Sequence, residues 1–187
     1  MDDPILFNPK THSHLIPSFA DILTACITTP PYTTAGFLPP IDPARIRKWW
    51  EDRVREESEG HRKIIMQMAR DPSTGEEELA GYVMLGMPVT ETGPFRGSVE
   101  KLMVSPKYRQ KGIAGRLMAK LEEVARAEGR TLLLLDTESG SPAELVYPKW
   151  GYIEVGKVPD YGISPLDGSL KPGTFFYKNL LSASKAA

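Results

Sequence analysis

The segment from Ser98 to Asp136 constrains this chain most. Ser98 to Val104 reads as a strand, and residues 105–111 follow it as a basic loop. Gly112 to Glu128 is amphipathic: Ile113, Leu117, Met118, Leu121, Val124 and Ala125 recur at helical spacing on one face. Gly129 stands where a left-handed helix end is needed. Thr131 to Asp136 is almost continuously apolar, which predicts a central strand buried on both faces. A strand, a helix and a second strand in that order lie parallel in one sheet, joined by a right-handed crossover. Any fold for this chain is built around that unit.

The remaining elements are arranged on either side of it. Residues 5–8 read as a short strand, and Leu15 to Thr28 as a helix with Ile16, Phe19, Ala20, Leu23 and Ile27 on one face. Four prolines between Thr29 and Pro40 exclude regular helix, so that stretch is a loop. Asp42-Pro43 supplies an N-cap and an N1 proline for a helix to about Gly60, with Ile46, Trp49, Trp50 and Val54 as its apolar stripe. Ile64 to Ala69 and Leu79 to Met87 form a hairpin about the turn Pro72-Ser73-Thr74-Gly75. Pro142 to Trp150 reads as a short helix ended by Gly151. Tyr152 to Val158 and Thr174 to Leu180 are the last strands, with a turn at Asp167-Gly168. The class is α+β (α/β in a loose sense), with a mixed, mostly antiparallel sheet.

Composition excludes several classes. With 187 residues the chain is expected to form one domain over residues 1–187. Its net charge is −1, which advertises no nucleic acid and no acidic membrane surface. Cys26 is the sole cysteine, so no internal disulfide and no cysteine-based zinc site can form. His12, His14 and His61 lack a third ligand at useful spacing, and no metal is expected. Leu132 to Leu135 is an apolar run far below the ~20 residues that span a bilayer. The start, Met1-Asp2-Asp3-Pro4, does not have the pattern of a signal peptide. A cytoplasmic protein, independent of membranes, is the expectation.

Neutrality conceals a local imbalance. Residues 101–120 hold Lys101, Lys107, Arg109, Lys111, Arg116 and Lys120 and no acid. Most of these flank the start of the predicted helix, where Gly112, Ala114 and Gly115 leave the backbone open. A helix N-terminus offers unpaired N–H groups and a partial positive charge, which suits a phosphate. The alternative is an ordinary helix start with a solvated basic face. The chain has no Gly-x-x-x-x-Gly-Lys-Ser/Thr loop. A dinucleotide site is the weaker rival: Asp136 lies at a fitting distance from Gly112, but the first glycine of Gly-x-Gly-x-x-Gly is absent.

Arg109-Gln110-Lys111-Gly112-Ile113-Ala114 resembles the Arg/Gln-x-x-Gly-x-Gly/Ala signature of the GNAT N-acetyltransferase superfamily. Ala143 to Tyr152 is similar to that family's Ala-x-x-x-Tyr-x-x-x-Gly-Phe/Tyr segment. Lys101-Leu102-Met103-Val104, Leu135-Asp136-Thr137-Glu138 with Gly140-Ser141, and Asp167-Gly168 with Leu170 resemble the tabtoxin-resistance acetyltransferase group in particular. The likeness runs over roughly residues 36–180. It implies about seven strands, about four helices and two splayed parallel central strands.

The resemblance also implies a cofactor, acetyl-CoA, and no metal. Its pyrophosphate would lie on the loop Arg109, Gln110, Lys111, Gly112, Ile113, Ala114 and Gly115, with Arg116, Lys107 or Lys111 toward the 3′-phosphate. Its pantetheine would pair with the backbone of Leu102, Met103 and Val104 as an added strand. Ser141 joins the cofactor-binding set. A backbone N–H near Val104 is implied as donor to the oxyanion. Acetyl transfer to an amine needs a base, because an ammonium has no lone pair. Asp136 matches the group's base, with capping of the Ser139–Ser141 turn as its alternative role. The group's second carboxylate falls at Ser98, so the base is left open between Asp136 and Glu100, which shares Ser98's strand face. An ion pair within the strand is the other role open to Glu100, and Glu138 reads as a surface or turn residue. Tyr147 matches the tyrosine that protonates the leaving thiolate. Tyr32, Phe37 and Trp49 are expected near the acceptor, and Tyr161 and Asp160 could line its pocket.

The expected activity is acetylation of a small-molecule primary amine by direct transfer. Acetylation of a protein lysine or N-terminus, and a non-catalytic acyl-CoA-binding module, remain alternatives. A homodimer is one open oligomeric state.

Overall fold

The computed structural model describes residues 2–71 and 73–181. Pro72, placed in the first hairpin turn, and the last six residues of the span 1–187 lie outside the described residues. The elements are β1 (Ile5–Leu6), α1 (Pro9–His12), α2 (Ile16–Thr28), α3 (Pro43–Ser58), β2 (Arg62–Arg70), β3 (Glu77–Gly86) and β4 (Arg96–Val104). Then come α4 (Ile113–Ala127), β5 (Leu132–Glu138), β6 (Ile153–Ile163) and β7 (Leu170–Asn179). One seven-stranded sheet runs in the order β1-β2-β3-β4-β5-β7-β6. Among the described residues only β4 and β5 are parallel, as the helix between them requires.

Strands β2 and β3 carry apolar side chains on both faces, and both are covered. Ile65, Val83, Leu85, Leu133 and Leu135 pack against Leu117, Met118 and Leu121 of α4. Ile64, Met66, Tyr82 and Met84 pack on the opposite face against Phe19, Leu23, Ile46 and Trp50 of α2 and α3. Asp42 caps α3 by accepting from the N–H of Ala44 at 2.9 Å. Asp42→Ala should therefore cost about 1 kcal/mol in a denaturant titration.

Helices α2 and α3 stop short of β5. Leu133 and Leu135 face α4, but Leu134 is 38% exposed and Asp136 is open to solvent. The expectation that this strand is buried on both faces is therefore wrong for one of them. Leucines in a row cannot report which face lacks a covering helix.

Two further readings are corrected. Residues 142–150 do not form an α-helix: the turn runs on i→i−3 hydrogen bonds, such as Lys149 N–H to Val146 O at 3.1 Å, and ends in a 3₁₀ turn over Pro148–Trp150. Pro148 has no N–H to donate to Glu144, which breaks an α-helical ladder there. Gly151 does end the segment, at φ 81°. The terminal hairpin is also longer than its sequence suggests. Register shifts near Gly156 and between Val158 and Gly162 absorb Pro159, and β6 is an edge strand, where a proline does least harm.

Candidate active site

Parallel pairing of β4 and β5 is short. Arg96 pairs with Leu132, Gly97 with Leu133 and Ser98 with Leu134, and no later pair is formed. The cause lies in β4. Lys101 has φ 51°, and two residues, Lys101 and Leu102, oppose the single Val83 on β3. A bulge of this kind bends its strand and leaves one backbone edge unpaired. The strands therefore part beyond Ser98.

A cavity of about 630 Å³ opens in the gap. Glu100 and Leu102 of β4, Asp136 of β5 and Tyr147 all line it. Segment 33–38 forms another wall, and Tyr161 with Gly173 of the terminal hairpin a third. Met103 and Phe37 reach the cavity too. Trp49 does not: it lines a neighbouring recess of about 330 Å³ with Phe37 and Lys101. Tyr32 and Asp160 line neither space.

The three proposed catalytic groups differ in their surroundings. The walls around Asp136 desolvate it in part and raise its carboxyl above the usual carboxylate value; Lys101 draws it back and Glu100 raises it again. Among the described residues Asp136 has no hydrogen-bond partner, so capping of the 139–141 turn is not its role. Tyr147 is buried, and its phenol is pushed up to about 12, by burial first and the Asp136 charge second. It is therefore a neutral donor at neutral pH. Glu100 instead accepts from Arg62 Nη1 at 2.9 Å. Arg62 is buried and also donates to Glu56 at 2.8 Å.

Glu138 belongs in the cavity wall rather than on the surface. It accepts a hydrogen bond from the Thr34 hydroxyl, which ties segment 33–38 to β5. Lys101, one of the six cations of residues 101–120, faces both spaces. Strand alternation could not have placed it, since the bulge breaks the alternation at this residue.

The phosphate-loop candidates are less uniform than their charges suggest. Gln110 (φ 62°) and Gly112 (φ 75°) turn the backbone into α4, which opens with no side-chain cap. Free N–H groups at that end fit a phosphate. Lys107 does not join them, since Asp71 and Glu78 hold it and keep it charged above its ordinary range. Arg109 donates to Pro30 O at 2.7 Å and to Cys26 Sγ at 3.7 Å, securing the loop after α2. Arg116 pairs with Asp3 at 3.2 Å, and Lys111 sits 4.9 Å over the Tyr108 ring. Ser141 bonds Thr137 across its turn, at 3.2 Å. No group of three His, Cys, Asp or Glu among the described residues could hold a metal ion. No helix among them is long and apolar enough to cross a membrane.

Two parallel strands thus part over an acid and a tyrosine, beside an uncapped helix start. The comparisons name the family. The family model for the acetyltransferase (GNAT) family matches residues 25–152, and the chain belongs to that family. An L-methionine sulfoximine/L-methionine sulfone acetyltransferase of Pseudomonas aeruginosa is 30% identical over 66% of this chain and 67% of its own. Two solved structures share the fold. One is a phosphinothricin acetyltransferase of Sinorhizobium meliloti in complex with acetyl-CoA, with TM-score 0.72 and 16% identity over 96% of this chain and 89% of that one. The other is a ribosomal-protein-alanine N-acetyltransferase of Brucella melitensis, with TM-score 0.71 and 20% identity over 95% and 99%. The chain is thus a member of an acetyltransferase family, and acetyl-CoA is the cofactor that the Sinorhizobium meliloti structure holds. The open edge of β4 and the uncapped start of α4 fit that cofactor.

Proposed function

We propose that the chain acetylates the primary amine of a small molecule by direct transfer, with Asp136 as general base and Tyr147 as general acid. The observation that carries this reading is the meeting of both groups in the cavity where β4 and β5 part. The reading takes the whole span, residues 1–187, as one catalytic domain working in the cytoplasm.

When bound, acetyl-CoA supplies a thioester carbonyl activated toward an amine. In this reading the N–H groups from Gln110 to Gly115 hold its pyrophosphate, and the free backbone edge of Leu102 to Val104 aligns its arm. Asp136 takes the proton from the acceptor ammonium, a task that a raised carboxyl performs better near neutral pH. The Tyr147 hydroxyl returns a proton to the leaving sulfur. Glu100 is engaged by Arg62, which favours a supporting part: its charge keeps Asp136 basic.

A small acceptor is favoured over a protein because segment 33–38 closes one side of the cavity, held by Thr34 on Glu138. The relative that acts on methionine sulfoximine agrees with this. The test is thiol release from acetyl-CoA over a panel of amines, amino acids and peptides. Turnover of peptides alone would overturn the choice of acceptor, and binding of NADH without CoA would overturn the whole reading. Tyr147→Phe should lower kcat by about tenfold with the fold intact, since no described residue bonds its hydroxyl.

A further inference from the structure

The reading above names an amine and leaves the rest of the acceptor unspecified. Lys101 bears on that. Its backbone is held at φ 51° in the β4 bulge, so its side chain leaves the strand where the cavity and the neighbouring recess meet. It forms no ion pair or hydrogen bond with any described residue, and its Nζ lies 5.9 Å over the Trp49 ring. An ammonium desolvated without a partner is costly. Desolvation pulls it below its ordinary value, while the charges of Glu100 and Asp136 hold it up. The recess around it is basic. Arg45, Lys48 and Lys101 line it against the single acid Asp52, which already pairs with Arg55 at 3.1 Å and Lys48 at 3.9 Å. One cavity thus presents a cation in no ion pair and an acid in no hydrogen bond among the described residues, each feeling the other's charge.

We propose that Lys101 is the specificity-determining residue of this enzyme, and that it selects a zwitterionic amino acid by taking the acceptor's carboxylate while Asp136 faces its amino group. The inference rests on the amine-acetyltransferase reading. The carboxylate neutralises the lone ammonium, and the basic recess accommodates it without contact to a free acid. This fixes the amine toward Asp136 and the side chain toward the body of the 630 Å³ cavity. An amine without a carboxylate leaves Lys101 unpartnered and gains no orientation.

The experiment measures kcat and KM with acetyl-CoA for the standard L-amino acids, their carboxamides and their decarboxylated amines. The best free acid is expected to exceed its carboxamide by about 30- to 100-fold in kcat/KM, mostly through KM. In Lys101→Met that acid-to-amide ratio should fall to within about threefold of unity, and Lys101→Arg should restore about tenfold of it. Acetyl-CoA binding, measured by calorimetry, shows that each variant folds. Equal turnover of acids and amides by the wild type, or a ratio unchanged in Lys101→Met, overturns the inference and leaves the acetyltransferase reading standing. Turnover of none of the set, with acetyl-CoA still bound, overturns both.

Discussion

Asp136→Asn is expected to lower kcat by about 10²- to 10⁴-fold while leaving acetyl-CoA binding in place. The substitution keeps the shape of the side chain and removes only its ability to take a proton. Because the Asp136 carboxyl is raised, its protonated form persists to higher pH than for an ordinary carboxylate, near ~3.9. The acid limb of the wild-type rate profile should therefore lie above that value, with activity lost as pH falls through it. In Asp136→Asn this limb should vanish from the residual rate. Stability should move the other way. A carboxyl raised by folding stabilises the fold only in its protonated form, below the ordinary value, and that contribution is lost as pH rises through the raised one. At neutral pH the asparagine variant should melt at the same temperature or slightly higher. A variant with full kcat and an unchanged acid limb would remove Asp136 from the mechanism.

Arg62→Met should be the most damaging substitution for the fold around the site, costing about 2–3 kcal/mol in denaturant unfolding. Arg62 is buried and bridges Glu56 on α3 and Glu100 on β4, at 2.8 and 2.9 Å. Taking away the cation leaves two acids near each other with only part of their surface in water. Their side chains are 27% and 37% exposed, so solvent softens the penalty below that of a fully enclosed pair. Glu56 keeps a second partner in Arg53, but Glu100 has no other salt bridge among the described residues. Adding Glu100→Gln to Arg62→Met should therefore recover about half of the loss. If the double variant is no more stable than the single one, the bridge is not what Arg62 contributes.

The sequence was most legible where side-chain period and backbone chemistry agree. The 3.6-residue stripe of α4, the Asp42-Pro43 start of α3 and the glycine at position 151 all stand where they were expected. It was least legible where a neighbour in space decides. Glu138 looks like a turn residue until Thr34 meets it from 104 positions away. The six cations of residues 101–120 look like one cradle until Asp71 and Glu78 claim Lys107 and Asp3 meets Arg116. Glu100 reads as an acid paired within its own strand until Arg62 meets it from 38 positions away.

The sequence by itself determined the crossover, the order of the strands it joins and the family to which the signature loop belongs. Periodicity and turn chemistry are local, so the chain carries them wherever it folds. Only the tertiary structure decided which face of β5 stays bare, which cations remain without partners and where β4 leaves β5. The first depends on how far α2 and α3 reach across the sheet, the second on which acids the fold brings to the basic loop, and the third on one bulged residue. Lys101 joins the two levels: the sequence set it in a strand, and its φ of 51° turned it into the cavity.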